Sequence, residues 1–161
     1  MLENSIKKKL IQDIKSIVKE KYVLTTNWNM EPYCRGWRYG GGVALAVVKP
    51  GSLIEIWKVL QICTKYNIII IMQAANTGLT GGSTPYGHDY DRPIIIINNM
   101  RVNDIHIIDK GNQIIGFAGS TLYELESELS SYSREPHSVI GSSCIGASIV
   151  GGICNLSLIH I

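Results

Sequence analysis

The stretch from Val43 to Ile71 leaves the chain few ways to fold. Val43 to Val48 is an apolar run closed by Pro50-Gly51, Ser52 stands three residues before Glu55, and a β-branched run follows at Ile68 to Ile71. Ser52 with Glu55 is a helix-start signal, because the hydroxyl can accept from a free N–H of the first turn while the carboxylate reaches back to another. Leu53, Ile56, Trp57, Leu60 and Cys63 recur at helical spacing and define the expected packing face, and Asn67 marks the stop. Strand, helix, strand is a βαβ unit, whose crossover helix returns the second strand parallel to the first. Both strands are expected to be buried.

Around this unit the pattern is less constrained. Ile6, Leu10, Ile14, Ile17 and Val18 predict an amphipathic helix over residues 5 to 21. Residues 29 to 42, with Pro32 and Gly40-Gly41-Gly42, read as a loop. Further strands are expected at Ile94 to Asn98, Asp104 to Ile108 and Gln113 to Ala118, and a helix from Thr121 to about Leu129.

Composition narrows the class of function. With 161 residues the chain can hold one domain with a real core, and 45% apolar against 17% charged side chains places it with ordered globular proteins. The 15 basic and 13 acidic residues balance too closely for a surface built on phosphate neutralisation, so no nucleic-acid partner is expected. Cys34, Cys63, Cys144 and Cys154 form no CxxC pair and no zinc-ligand cluster, which fits a reduced, cytosol-facing chain and no metal. Charge interrupts the first twenty residues, so no export signal is read there, and no apolar run approaches the roughly 20 residues needed to span a bilayer.

The most informative segment is Gln73-Ala74-Ala75-Asn76-Thr77-Gly78-Leu79-Thr80-Gly81-Gly82-Ser83-Thr84-Pro85. It leaves the carboxyl end of a parallel strand, where open α/β sheets bind ligands, and its glycines let backbone N–H groups approach an anion. Asn76, Thr77, Thr80, Ser83 and Thr84 add side-chain donors, a set suited to a pyrophosphate. An ordinary surface loop has the same composition, and composition alone leaves the two readings balanced. The chain contains no Gly-Lys for a Walker loop and no Gly-x-Gly-x-x-Gly. A serine-hydrolase elbow fails at both candidates, since Ile145 follows Ser143 by two and Val150 follows Ser148 by two. His88, His106, His137 and His160 lack metal spacing, and Asp89 with Asp91 reads as a solvated loop.

Several segments together carry a family resemblance: Arg35-Gly36-Trp37-Arg38, Ala44 to Ser52, the Gln73 to Pro85 loop, Asp89-Tyr90-Asp91-Arg92, and Arg134 to Ser148. Over residues 33 to 155 the chain resembles the quinone-dependent D-lactate dehydrogenases. The resemblance implies an α+β fold of the vanillyl-alcohol-oxidase/PCMH type, a FAD-binding domain with a small βαβ lobe beside a larger, mainly antiparallel sheet. It implies FAD as cofactor, held through Ala74, Ala75, Asn76, Thr77, Gly78, Gly82 and Ser83 in the first loop and through Gly141 and Ser148 in a second. It further implies oxidation of D-lactate to pyruvate with electrons passed to a quinone, by a peripheral protein on the cytoplasmic side of the bacterial inner membrane. A related FAD-dependent oxidiser of glycolate or 2-hydroxyglutarate, or a non-catalytic relic, are the alternatives.

The ending departs from the family. Residues 156 to 161 read Leu-Ser-Leu-Ile-His-Ile, with Leu158 near a family glycine contact. Residues 1 to 155 are therefore expected to be a partial FAD-binding domain, with 156 to 161 a non-native tail and the catalytic base outside the chain. A sheet cut short is expected to expose apolar positions such as Ile94 to Ile97.

Overall fold

The computed structural model describes residues 3–136 and 146–154. The fold divides at Arg101 into two units, residues 1–101 and 102–161. In the first, α1 (Asn4–Val18) leads through a short 3-10 turn to β1 (Val23–Leu24) and α2 (Asn27–Cys34); β2 (Gly41–Gly42), β3 (Ala46–Val48), α3 (Leu53–Lys65), β4 (Ile69–Gln73), β5 (Tyr86–Gly87) and β6 (Ile94–Asn98) follow. The main sheet runs β1-β3-β6-β4, with β3 and β4 each parallel to β6 and β1 antiparallel to β3. The expected βαβ unit is present, but its strands are not neighbours, because β6 lies between them.

Position in the sheet decides burial. Alternate residues of β3 and β6 face opposite sides: Ala46, Val48, Ile95 and Ile97 join a core with Leu10, Ile14 and Val18 of α1 and Val59 and Cys63 of α3. Val47, Ile94 and Ile96 join Met30 of α2 on the other side. A strand covered on both faces needs an unbroken apolar sequence, and the isoleucine run 94–97 meets that need. Its residues are 3%, 0%, 0% and 0% exposed, so the expectation that Ile94 to Ile97 would be left in solvent is wrong. The strand left partly open is β4, at the edge of the sheet, where Ile69 to Ile71 are half-buried and Met72 is 45% exposed; full burial of a βαβ strand holds for β3 alone.

The ends of α3 follow the sequence signals. Ser52 Oγ accepts from the Glu55 N–H at 3.2 Å, while Glu55 Oε2 accepts from Gly51 N at 2.6 Å. At the other end Asn67 takes φ 53°, and the N–H groups of Asn67 and Ile68 donate to the carbonyls of Thr64 and Cys63. Those two bonds satisfy carbonyls that a helix end would leave unpaired. The expected packing face is only partly right. Leu53 and Trp57 are exposed, and the stripe on the core is Val59 and Cys63 with Leu60 and Ile62 beside them, because α3 must face α1 as well as the sheet.

Residues 29 to 34, expected within a loop, belong to α2 (Asn27–Cys34), with Pro32 inside it. Proline removes one helical hydrogen bond, but Met30 is 4% exposed against Val47 and Ile96. That burial outweighs the local preference.

The second unit holds the antiparallel pair β7 (Ile105–Ile108) and β8 (Gln113–Gly116), then α4 (Leu122–Ser130) and α5 (Ile149–Cys154). Ile105, Ile107 and Ile114 pack on Leu122, Leu125, Leu129 and Ile149. Thr121 caps α4 reciprocally with Glu124.

Burial also sets thiol reactivity. Cys63 is fully buried and its thiol is pushed up to about 11, so it stays protonated near neutral pH, whereas Cys154 is exposed. Iodoacetamide at about pH 8 is expected to modify Cys154 and spare Cys63 until the protein unfolds. Peptide mapping that finds both labelled at one rate would contradict this packing.

Candidate functional site

The glycine-rich loop begins where β4 ends beside β6. Gln73 pairs in register with Asn98, and both are 2% exposed. Gln73 Nε2 donates to the carbonyls of Tyr33 at 2.9 Å and Ser83 at 2.7 Å, while its Oε1 accepts from Asn98 Nδ2 at 3.2 Å. Asn98 Nδ2 also donates to the Ala74 carbonyl at 2.9 Å. Two buried amides thus tie the first residues of the loop to its last.

A second rung lies further out. Asn76, at φ 56°, donates from Nδ2 to the Arg35 carbonyl at 2.9 Å and accepts from Ser83 Oγ at 2.7 Å. The Tyr33 carbonyl belongs to the last turn of α2, where helical carbonyls lack partners of their own. The Gln73 amide supplies one, so α2 and the loop stabilise each other.

These bonds correct part of the donor set read from sequence. The donor hydrogens of Asn76 and Ser83 point at protein acceptors, and Thr84 Oγ1 donates to Gly81 O at 3.2 Å. Thr77 and Thr80 keep their hydroxyls unengaged among the described residues. The main chain is different: among the described residues, no backbone N–H from residue 75 to residue 83 donates to a protein acceptor. Nine successive amides in an exposed loop form a concentration of positive dipole ends suited to an anion. Asn99 Oδ1, one residue past β6, is a buried acceptor with no protein partner.

The glycines fall into two kinds. A side chain on Gly36 would meet the Tyr39 carbonyl at 1.8 Å, one on Gly81 (φ 76°) would meet the same carbonyl at 2.9 Å, and one on Gly40 (φ 89°) would strike Thr84 Oγ1 at 2.2 Å. Gly36 lets the 36–40 turn close on itself, and Gly40 and Gly81 let that turn lie against the loop. At Gly78 and Gly82 a Cβ would meet nothing within 4 Å, and neither has a positive φ. Nothing in the described protein requires glycine there, whereas close approach of a ligand to the main chain would.

Other sequence candidates are placed as follows. Ala74, Ala75 and Thr77 are half-buried along the loop. Ser148, in the second unit, is 3% exposed, bridges to Thr121, and accepts at Oγ from the Gly151 N–H at 3.1 Å, so it caps α5. Gly141 lies outside the described residues. Asp89, Tyr90, Asp91 and Arg92 are exposed, and no acidic, histidine and cysteine cluster able to hold a metal occurs among the described residues. A groove of about 420 Å³ lined by Met30, Cys34, Arg35 and Gly40–Val43 adjoins the same turn. Burial pushes the Cys34 thiol there above the usual value despite a hydrogen bond from the Ala44 backbone, which disfavours its thiolate. Sequence reasoning missed Gln73, Asn98 and α2 as parts of this site. The available signal was the abrupt change from an isoleucine run to an amide at the carboxyl end of two strands.

The donor chemistry fits a dinucleotide diphosphate: unengaged amides, two side-chain-free approaches and two free threonine hydroxyls. Comparisons with known proteins agree. Residues 44–159 match the model of the FAD binding domain family. The chain is 54% identical over 148 residues to the quinone-dependent D-lactate dehydrogenase of Haemophilus influenzae, covering 92% of this chain, and 52% identical over 150 residues to that of Escherichia coli, covering 93%. It spans 26% of the length of each of these curated relatives. Among solved structures, p-cresol methylhydroxylase with substrate bound superposes with a TM-score of 0.75 at 18% identity, over 94% of this chain and 30% of that one, a likeness of fold. Among the described residues no helix is long and apolar enough to cross a membrane. The fold is therefore the α+β, PCMH-type FAD-binding fold, present in part, and the chain belongs to the FAD-binding domain family.

Proposed function

We propose that this chain is the cofactor-gripping part of a flavoenzyme that oxidises D-lactate to pyruvate and delivers the electrons to a quinone. The observation that carries the cofactor site is the run of unengaged amides from 75 to 83 around Gly78 and Gly82. On this reading Ala74, Ala75, Asn76, Thr77, Gly78, Gly82 and Ser83 hold the diphosphate; for Gly141 and Ser148 a cofactor contact is supported by the family resemblance alone, and the Ser148 hydroxyl caps α5. Asn76 acts through its main chain, because its side chain braces the loop. Bound FAD supplies the acceptor for the two electrons of the substrate; the protein orients it and screens it from water. The substrate assignment rests on the 54% identity to the Haemophilus influenzae enzyme. On the same reading the protein works peripherally at the cytoplasmic face of the bacterial inner membrane, within reach of a quinone in the bilayer.

Purified at its full natural length, the protein is expected to show a flavin absorbance band, to reduce a soluble quinone with D-lactate, and to leave NAD unreduced, since these 161 residues grip the cofactor without a Rossmann fingerprint. Protein without flavin, or lactate oxidation that requires NAD, would overturn the assignment. Glycolate or 2-hydroxyglutarate oxidised in preference to D-lactate would keep the cofactor and change the substrate.

A further inference from the structure

We infer that Gln73 is the positioning residue of the cofactor loop: its buried amide holds residues 74 to 83 in the ligand-ready shape before any cofactor arrives. The inference rests on the FAD reading of the loop and adds to it a residue that touches no cofactor. Its basis is geometric. Gln73 bonds to three separate segments at once, the end of α2 through Tyr33, the far end of the loop through Ser83, and β6 through Asn98. The two carbonyls on one side fix which end of the amide carries the nitrogen, because only N–H can donate to both.

Few side chains satisfy these partners. Glutamate matches the shape but, when ionised, turns an acceptor toward two carbonyls. Methionine matches the volume and offers no donor. Either leaves the Tyr33 and Ser83 carbonyls without the partner they have at a residue only 2% exposed. The Ser83 link closes the loop, so without it the outer Asn76–Ser83 rung is, among the described residues, the one side-chain bond left between the two ends of the segment carrying Gly78 and Gly82. A loop that must be ordered when the ligand binds binds it more weakly.

The test uses Gln73→Glu and Gln73→Met in the protein at its full natural length. FAD affinity is measured at about pH 8 and about pH 5.5, chosen to bracket a carboxyl raised by burial, and folding is checked by far-ultraviolet circular dichroism. All three partners of Gln73 are uncharged, so the introduced carboxyl is the group under test. Both variants are expected to lose about tenfold or more in affinity at the higher pH. Protonation restores one donor to the glutamate, so Q73E regains affinity at the lower pH relative to wild type, and Q73M does not. Wild-type affinity in Q73M, or no pH-dependent recovery in Q73E, overturns the positioning role, as does loss of folding in both variants, which would make Gln73 a residue of the fold alone. Wild-type protein that holds no FAD overturns the cofactor reading itself, a result distinct from any of these.

Discussion

Valine at Gly78 or at Gly82 is expected to lower FAD affinity about tenfold or more, about 1.4 kcal/mol, while leaving the melting temperature of the cofactor-free protein unchanged. A Cβ at either position meets no protein atom within 4 Å, and neither backbone has a positive φ, so the fold accommodates a branched side chain. The same side chain occupies space beside the amides of the loop and restricts their rotation, which hinders close approach of a diphosphate. Gly36→Ala and Gly81→Val serve as the contrast. They place a carbon 1.8 Å and 2.9 Å from the Tyr39 carbonyl, and valine at 81 must also adopt φ 76°. These two are expected to depress the melting temperature as well as FAD affinity. Titration of the cofactor-free variants with FAD, alongside thermal melts, separates the two kinds. Unchanged affinity in both the Gly78 and Gly82 variants would remove the loop as the cofactor site.

The largest loss of stability is expected from truncating the middle of β6. Ile96 is 0% exposed, lies between β3 and β4, and packs with Val47 and Met30. Ile96→Ala removes buried carbons and leaves a cavity that the flanking strands can only partly close, at a cost of about 2–5 kcal/mol. Against the roughly 5–15 kcal/mol that holds a typical domain folded, that is a large fraction. Met72→Ala on edge strand β4, where the side chain is 45% exposed, should cost much less. Urea unfolding of both variants measures the difference. Equal losses would mean that β6 does not occupy the centre of the sheet.

Much of this was legible along the chain because the determining interactions are local. Ser52 with Glu55 and Asn67 announce the ends of α3 through bonds spanning three to five residues. The unbroken run Ile94–Ile97 announces a strand needing cover on two faces, and the glycines after Gln73 announce a main chain open to a ligand. Each signal lies within one turn or one strand, so it survives without knowledge of the rest.

Tertiary structure decided what depends on partners distant in sequence. The sequence pattern placed β3 and β4 in one parallel sheet but could not show that β6, more than twenty residues later, would lie between them and leave β4 at the edge. Pro32 argued for a loop, and α2 forms because Met30 finds Val47 and Ile96 and because Gln73, 40 residues on, caps the Tyr33 carbonyl. Asn76, Ser83 and Thr84 looked like three more donors for a ligand, yet each has its hydrogen turned to a protein acceptor. Gly78 and Gly81 cannot be told apart as letters; the Tyr39 carbonyl beside one and open space beside the other separate them. Composition and periodicity marked out the small-residue loop after β4 and left it open whether that loop meets a ligand or only solvent. Only the packing of segments far apart in the chain determined which polar groups hold the loop and which remain free to bind.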